Sequence, residues 1–427
     1  MNILFFADNF PPERNAQASR VYERACHWVR WGHKVTVLTC APNFPEGKVF
    51  PGYKNRLHQV EEMSGIRVVR LKTYVAPNVG RYRRILDFLS YMVAAFVAGV
   101  FEPRPDLIVA TSPQFFGALG ACVLAMFRRI PFVLELSDLW PESVVAVGAM
   151  RPNIGLTLLV KAELWMYRRA VRIVALTKAF KSNLVARGID DSKIGVVING
   201  VDLSRYSPRA KDQNLAEALG LDEKDFVVGY IGTLGMAHAL ENVLHTAALD
   251  GNGDVRLLFV GPGAERDKLK AKAEQMGLRN VIFVPSQPKE TMPAYWSLCD
   301  VALVHLKDTP LFETVIPSKI FEAMGMGRPV LLAAPQGEAS EILTESGAGL
   351  WVRPECPEEL MKAIHLLKTN RPLYHRLAAA SLQAAPAHSR ERQAKEMLAI
   401  LIQAADVPVE NELASEPRKG KNIPSHK

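Results

Sequence analysis

The residues with the clearest chemical potential are Lys319 and Glu322, which lie three positions apart in the segment 317–332. The pattern predicts a short helix with Ser318 as its N-cap, then a left-handed Gly327 and a buried strand. The first turn of a helix offers backbone N–H groups that favour phosphate, and Lys319 adds a positive charge there. A carboxylate one turn further on could accept hydrogen bonds from two neighbouring hydroxyl groups. A diphosphate beside a diol fits a nucleotide sugar, but an ordinary capped helix with a solvated glutamate fits these residues as well.

Two glycine-rich turns follow predicted strands in the second half of the chain. Gly232 and Gly235 belong to a strand–turn–helix pattern in which the backbone can approach a phosphate. Gly261 and Gly263 form a second turn after the next strand. Without other information, each pattern predicts a tight turn and leaves the presence of a ligand open.

A cluster of acidic residues and an aromatic residue ends a strand in the first half of the chain. Asp138 or Glu142 could orient the hydroxyl group of an acceptor, and Trp140 could stack on a sugar ring. Single acidic residues at strand ends also cap helices, so this structural alternative stays open.

Strands and helices alternate along both halves of the chain, which predicts an α/β fold with two Rossmann-like, doubly wound parallel-sheet domains in series. We expect one domain over residues 1–204 and a second over residues 205–386. A helix is predicted within residues 387–405. Residues 406–427 are polar and lack apolar periodicity, which is typical of a disordered tail.

The composition, with 48% hydrophobic and 22% charged residues, excludes a disordered or collagen-like protein. A net charge of +8 suits anionic partners such as nucleotide diphosphates or an anionic membrane surface. No nucleic-acid motif accompanies this charge, so nucleic acid is not an expected partner. The five scattered cysteines favour reduced thiols in the cytosol, and Met1 leads into a strand with no secretory signal.

Residues 85–101 form an apolar segment that follows a cluster of three arginines within residues 81–84. The segment is shorter than the roughly 20 apolar residues that span a bilayer. It fits a buried helix or a helix that lies in a membrane surface, with its arginines at the headgroups. We expect peripheral attachment to the cytoplasmic face of the cell membrane.

The segment around Glu322 resembles the C-terminal signature of the family 4 retaining glycosyltransferases, whose pattern is E-x7-E within a GT-B fold. The letters EAMGMGRPV match this signature, with Glu322 as the second glutamate. Thr314 stands where the first glutamate is expected, and Glu313 is one place away. The form PSKIFEAM resembles a bacterial branch that transfers aminosugars during the assembly of surface polysaccharides such as O-antigen, capsule or exopolysaccharide.

The resemblance implies two domains that face each other across a cleft, with the last helix crossing back to the first domain. It makes residues 1–204 the acceptor-binding domain and residues 205–386 the nucleotide-sugar-binding domain. It implies nucleotide contacts from Gly261, Gly263 and Glu338, and it makes His238 the candidate cation after the first glycine turn. Catalytic roles are implied for Lys319 and Glu322, with Asp138 and Glu142 as acceptor-side candidates. The expected reaction is transfer from a UDP-linked sugar, with retention and without a metal or other cofactor, to an acceptor linked to polyprenyl diphosphate.

Two other functions remain compatible with these residues. A nucleotide-sugar epimerase, such as a UDP-N-acetylglucosamine epimerase, would share the fold and the nucleotide. A binding protein without catalytic activity would agree with the absence of the first glutamate at Thr314. Conversion of a free nucleotide sugar without an acceptor would identify the epimerase, and donor binding without turnover would identify the binding protein.

Overall fold

The structure, a computed structural model, describes residues 1–13, 15–44, 46–77, 81–112, 114–139, 154–250 and 253–407. These residues fall into two compact units. The described part of the first unit comprises residues in 1–174, 185–195 and 397–407, and that of the second comprises residues in 175–184 and 196–396. The second unit thus begins earlier than the predicted boundary at residue 205, and it includes one short segment from the first half of the chain.

Strands and helices alternate through the first half of the chain. The strands are β1 (Asn2–Phe6), β2 (Lys34–Cys40), β3 (His58–Met63), β4 (Ile66–Leu71), β5 (Leu107–Thr111), β6 (Phe132–Leu136), β7 (Arg172–Ala175) and β8 (Ile194–Val196). The helices described here are α1 (Ala16–Arg30), α2 (Arg81–Phe101), α3 (Phe115–Arg128), α4 (Ile154–Arg169) and α5 (Lys178–Ala186). The strands form one sheet in the order β3-β4-β2-β1-β5-β6-β7-β8.

The second half of the chain repeats the alternation around a sheet in the order β11-β10-β9-β12-β13-β14. Its strands are β9 (Phe226–Ile231), β10 (Val255–Val260), β11 (Val281–Val284), β12 (Val301–His305), β13 (Val330–Ala333) and β14 (Gly349–Val352). Its described helices are α6 (Gln213–Ala218), α7 (Glu241–Ala248), α8 (Arg266–Gln275), α9 (Met292–Leu298), α10 (Lys319–Gly325), α11 (Glu338–Ser346), α12 (Pro357–Thr369), α13 (Arg371–Ala384) and α14 (Arg390–Ala405). The predicted pair of Rossmann-like domains is confirmed.

The order of the second sheet places a switch point between β9 and β12. β9 pairs in parallel with β10 on one side and with β12 on the other. Every residue of β9 and β12 is buried, as expected for parallel strands covered on both faces. Ligands of open α/β sheets bind at the carboxyl ends of strands at such a point.

Two elements, β3 and α6, have polar sequences that do not predict them. β3 pairs antiparallel with β4, and its residues alternate between exposed and half-buried positions. Its polar sequence gave no sign of a buried strand, since only one face contacts the protein. α6 lies in the polar stretch 209–225, where the Asp212 side chain caps it by accepting a hydrogen bond from Leu215 N at 3.1 Å.

α2 is long and apolar, and much of its surface is exposed. It is the one helix among the described residues with the length and composition to cross a membrane, and 17% of its most apolar window is buried. Tyr91 and Ala95 face inward, whereas Tyr82 and Phe101 are 86% and 83% exposed. The sequence left open whether this helix is buried or lies at a surface. In the structure one side of α2 packs against the protein and the other side is exposed.

Candidate functional site

The turn after β9 brings the protein backbone close to a lysine side chain. Gly232 has a φ of 147°, a conformation that residues with side chains rarely adopt. A Cβ atom at Gly232 would lie 3.2 Å from Nζ of Lys319, so the glycine leaves room for the ammonium group beside the turn. Gly235 is less constrained, because a Cβ there would meet Thr233 Cγ2 at 3.7 Å, an ordinary contact.

Lys319 is the first residue of α10, and its side chain is buried, with 8% of the residue exposed. Its Nζ lies 3.5 Å from the centroid of the Tyr230 ring, and it has no hydrogen-bond partner among the described residues. Burial lowers the pKa of Lys319 to about 7, although Glu322 acts in the opposite direction. A buried ammonium without a hydrogen bond is unfavourable, and at a strand edge it indicates a binding site for an anion.

Glu322 lies one turn further along α10 and is half-buried. Its Oε2 accepts a hydrogen bond from Nε1 of the fully buried Trp296 at 3.2 Å. Burial raises the pKa of the Glu322 carboxyl group, and the indole hydrogen bond opposes this rise. The indole therefore fixes the orientation of the carboxylate. Ser318 occupies the predicted N-cap position, but within the described structure its side chain makes no capping hydrogen bond.

His238 and His305 are joined by two hydrogen bonds, each from the imidazole of one residue to the backbone carbonyl of the other. His238 Nδ1 donates to the carbonyl of His305 at 3.2 Å, and His305 Nδ1 donates to the carbonyl of His238 at 2.7 Å. Burial lowers the pKa of each imidazole to about 4. Both rings are therefore neutral at pH 7, with the proton on Nδ1. His238 was expected to supply a cation to the diphosphate, and in this environment it offers a neutral ring instead.

Gly261 and Gly263 pack against the turn that follows β9. A Cβ atom at Gly261 would lie 2.2 Å from the carbonyl oxygen of Gly232, and one at Gly263 would lie 2.0 Å from that of Leu234. Leu234 N also donates to the carbonyl of Pro262 at 2.7 Å. These two glycines let two loops of the strand edge touch each other, so each has a structural requirement that is independent of any ligand.

Glu338 and Thr314 are engaged in contacts within the protein. The carboxylate of Glu338 is buried and accepts hydrogen bonds from the backbone N–H groups of Lys178 and Ala179, at the start of α5. This contact satisfies donors that a helix end leaves without partners. The Thr314 hydroxyl donates to the carbonyl of Leu311 at 2.9 Å. The proposed nucleotide role of Glu338 stays a prediction.

The acceptor-side candidates of the first half lie only partly within the described residues. Asp138 is half-buried just after β6. Glu142 and Trp140 lie outside the described residues. The buried acid of this strand is Glu135, which forms ion pairs with Arg20, at 2.9 Å, and with Arg24. Burial would raise the pKa of Glu135, but the two guanidinium groups outweigh it and lower the pKa to about 2.

Three further carboxyl groups lie near the ends of β1 and β2 and on α2. Glu13 Oε1 accepts hydrogen bonds from Asn43 N at 2.8 Å and Phe44 N at 2.9 Å. Burial, with a contribution from Asp8, raises the pKa of both Glu13 and Asp87 to about 7. Carboxyl groups with such pKa values can exchange a proton near neutral pH, as a general acid or base does.

Two residues that contact the predicted site, Tyr230 and Trp296, carry no sequence signal that would have identified them. Tyr230 looks like an ordinary strand residue, and Trp296 looks like a core residue of a short helix. Among the described residues, no group of three or more His, Cys, Asp or Glu side chains is arranged to hold a metal ion.

Comparisons with known proteins match both halves of the chain. Residues 15–200 match a model described as a glycosyl transferase 4-like domain, and residues 211–383 match one described as glycosyl transferases group 1. The chain is 26% identical over 375 residues to the colanic acid biosynthesis glycosyl transferase WcaI of Escherichia coli strain K12, with 85% of this chain and 91% of that protein covered.

A GDP-mannose-dependent alpha-mannosyltransferase of Mycobacterium tuberculosis is 27% identical over 355 residues, covering 82% of this chain and 83% of that protein. Among solved structures, HepE of Anabaena in complex with UDP-glucose has a TM-score of 0.71 at 18% identity. That alignment covers 94% of this chain and 100% of HepE, which shows a shared fold.

Proposed function

Because this chain belongs to the family 4 glycosyltransferases of GT-B fold, we propose that it adds an N-acetylated aminosugar to a growing surface polysaccharide. The donor in this proposal is a UDP-linked sugar, the acceptor is a glycan carried on polyprenyl diphosphate, and the configuration at the anomeric carbon is retained. The chain is a nucleotide-sugar-dependent glycosyltransferase. The aminosugar, the UDP carrier, the lipid-linked acceptor and the retention of configuration are what the proposal adds.

The buried ammonium of Lys319 is the observation that supports the donor site most directly. It lies against Gly232 at the switch point of the second sheet, without a hydrogen-bond partner in the described residues. A diphosphate placed at this turn would supply the missing acceptor oxygens. Glu322, held by Trp296, would then accept hydrogen bonds from the two ribose hydroxyl groups.

The same residues support a mechanism in which the enzyme lowers the activation barrier mainly by positioning the reactants and stabilising charge. As the bond from the anomeric carbon to the phosphate oxygen breaks, negative charge grows on the departing diphosphate. In this proposal the ammonium group of Lys319 stabilises that charge. The acceptor hydroxyl attacks on the same face and gives its proton to the departing phosphate oxygen, so configuration is retained.

A Glu322→Ala variant tests the donor site. Loss of a charge-assisted pair of hydrogen bonds should weaken donor and transition-state binding by about 2–4 kcal/mol, and Glu322→Gln should lose less. Release of nucleotide diphosphate, measured with a panel of UDP- and GDP-sugars, gives the readout. The exposed Glu341→Ala is the matched control. Near-normal turnover in a folded Glu322→Ala protein would remove Glu322 from the site.

We further propose that the exposed face of α2 attaches the protein to the cytoplasmic face of the membrane. Apolar residues spaced along one side of the helix are exposed, among them Leu86, Val93 and Val97, and Arg83 and Arg84 are exposed near its start. Apolar insertion combined with arginines at the headgroups is the usual physical basis of such attachment.

Sedimentation with anionic vesicles tests this attachment. The double variant Arg83→Glu/Arg84→Glu should lose binding, and high salt should weaken wild-type binding only in part, because apolar insertion is not screened. The variant Lys268→Glu/Lys270→Glu makes the same change of charge on exposed residues of α8 and should bind as wild type does. If wild-type protein never sediments with vesicles, the attachment is refuted.

A further inference from the structure

Tyr230 connects several parts of the site. It is buried in β9 with 1% of the residue exposed, and its ring centroid lies 3.5 Å from Lys319 Nζ. Its hydroxyl donates to the carbonyl of Thr233 at 2.9 Å, within the turn that follows the strand. The ring also meets His238 edge to face, with 5.7 Å between centroids. One side chain therefore contacts the lysine, the turn and the histidine pair.

The Tyr230 ring lies 3.5 Å from the Lys319 ammonium, and three titratable groups also act on that ammonium. Glu322 favours the charged lysine from the same helix. His238 after β9 and His305 at the end of β12 are neutral at pH 7, and when protonated they would repel the ammonium. The face of an aromatic ring attracts a cation, and this attraction is strongest when both are removed from water.

We propose that Tyr230 is a positioning residue whose ring keeps the Lys319 side chain charged beside Gly232 until a diphosphate takes over that charge. The inference rests on the proposed donor site for the role of the diphosphate. The contact between the ring and the ammonium, by contrast, is a property of the free protein. Since charge-assisted bonds to a diphosphate are stronger than the contact with a ring, ligand binding should draw Nζ from the ring to the phosphate.

The first experiment measures Lys319 in the free protein and needs no ligand. NMR of lysine side chains labelled with ¹³C at Cε follows the titration, and the signal lost in Lys319→Met gives the assignment. Tyr230→Phe keeps the ring and should keep the wild-type midpoint. Tyr230→Leu removes the ring and should lower the midpoint by about one pH unit. Tyr230→Met is a second ring-free variant, so a folding failure of the leucine variant does not leave the test undecided.

The second experiment measures the binding of UDP and GDP by calorimetry at pH 6 and pH 8.5. At pH 6 at least about half of the lysine is charged in every variant, so affinities should agree within about threefold. At pH 8.5 the ring-free variants should bind about tenfold more weakly than wild type and Tyr230→Phe, as a change of one pKa unit requires.

The possible outcomes separate the two ideas. Equal NMR midpoints in all variants, or a fall in Tyr230→Phe as large as that in Tyr230→Leu, would overturn the role of the ring. A ring-dependent midpoint in a wild-type protein that binds neither nucleotide at pH 6 would overturn the donor site and the transfer of the charge to a diphosphate, while the contact with the ring would stand.

Discussion

Replacement of Lys319 by methionine should make the folded protein more stable while it abolishes efficient transfer. The methionine side chain keeps most of the buried apolar atoms and removes the ammonium group. In the wild-type protein this group is buried without a hydrogen bond to any described residue, so folding must desolvate a charge. Natural binding sites commonly sacrifice stability in this way.

The size of the effect follows from the titration of the lysine. Its pKa falls from 10.5 to about 7 on burial, and one pKa unit corresponds to about 1.4 kcal/mol, so the charged form loses about 5 kcal/mol. For a unit of this size, each kcal/mol shifts the melting temperature by about 2–4 °C. We therefore expect Lys319→Met to melt roughly 10–20 °C above wild type near neutral pH.

The dependence on pH gives the sharper test. Below the folded pKa the lysine is protonated in both states, so the stability difference is at its full value. Above it the unfolded chain binds one proton more, so the wild-type protein gains about 1.4 kcal/mol per pH unit and the difference vanishes near pH 10.5. Calorimetry of both proteins from pH 6 to pH 10 measures this, with the exposed Lys270→Met as control. A Lys319→Met protein that is less stable than wild type, or a difference independent of pH, would refute the reasoning.

Three other substitutions test single contacts. Glu135→Gln should lower the free energy of unfolding by about 3–5 kcal/mol at pH 7, because two buried guanidinium groups lose their charged partner. This loss, measured by calorimetry, should shrink as pH falls from 4.5 towards 2, because the folded wild-type carboxylate is then protonated as well. Trp296→Phe should raise the donor KM, because the Glu322 carboxylate loses the indole hydrogen bond that orients it. Trp351→Phe is the control: it loses an indole hydrogen bond to a backbone carbonyl and should leave the donor KM unchanged. Gly263→Ala should lower the melting temperature because its Cβ would meet backbone, while Gly235→Ala should be tolerated.

The sequence predicted the elements whose apolar pattern is strong and missed those that are polar. β5 (LIVAT) and β9 (FVVGYI) are buried along their whole length and read as nearly continuous apolar runs, as expected for strands covered on both faces. The edge strand β3 has no such run. Lys319 and Glu322 were predicted to share one helix turn, and they do. The burial of Lys319 could not be predicted, because it depends on a strand residue far away in the sequence.

Aromatic residues of the core determine how the polar groups of the proposed donor site are presented. Tyr230 fixes the ammonium of Lys319, and Trp296 fixes the carboxylate of Glu322. Each aromatic side chain is packed among apolar neighbours and has little freedom, so the polar group that it holds loses less entropy when a ligand binds. It follows that a variant without the Tyr230 ring or without the Trp296 indole N–H should lose donor affinity, whereas Tyr230→Phe, which keeps the ring, should not. A change at a core aromatic residue without a polar partner should affect folding and leave donor affinity unchanged.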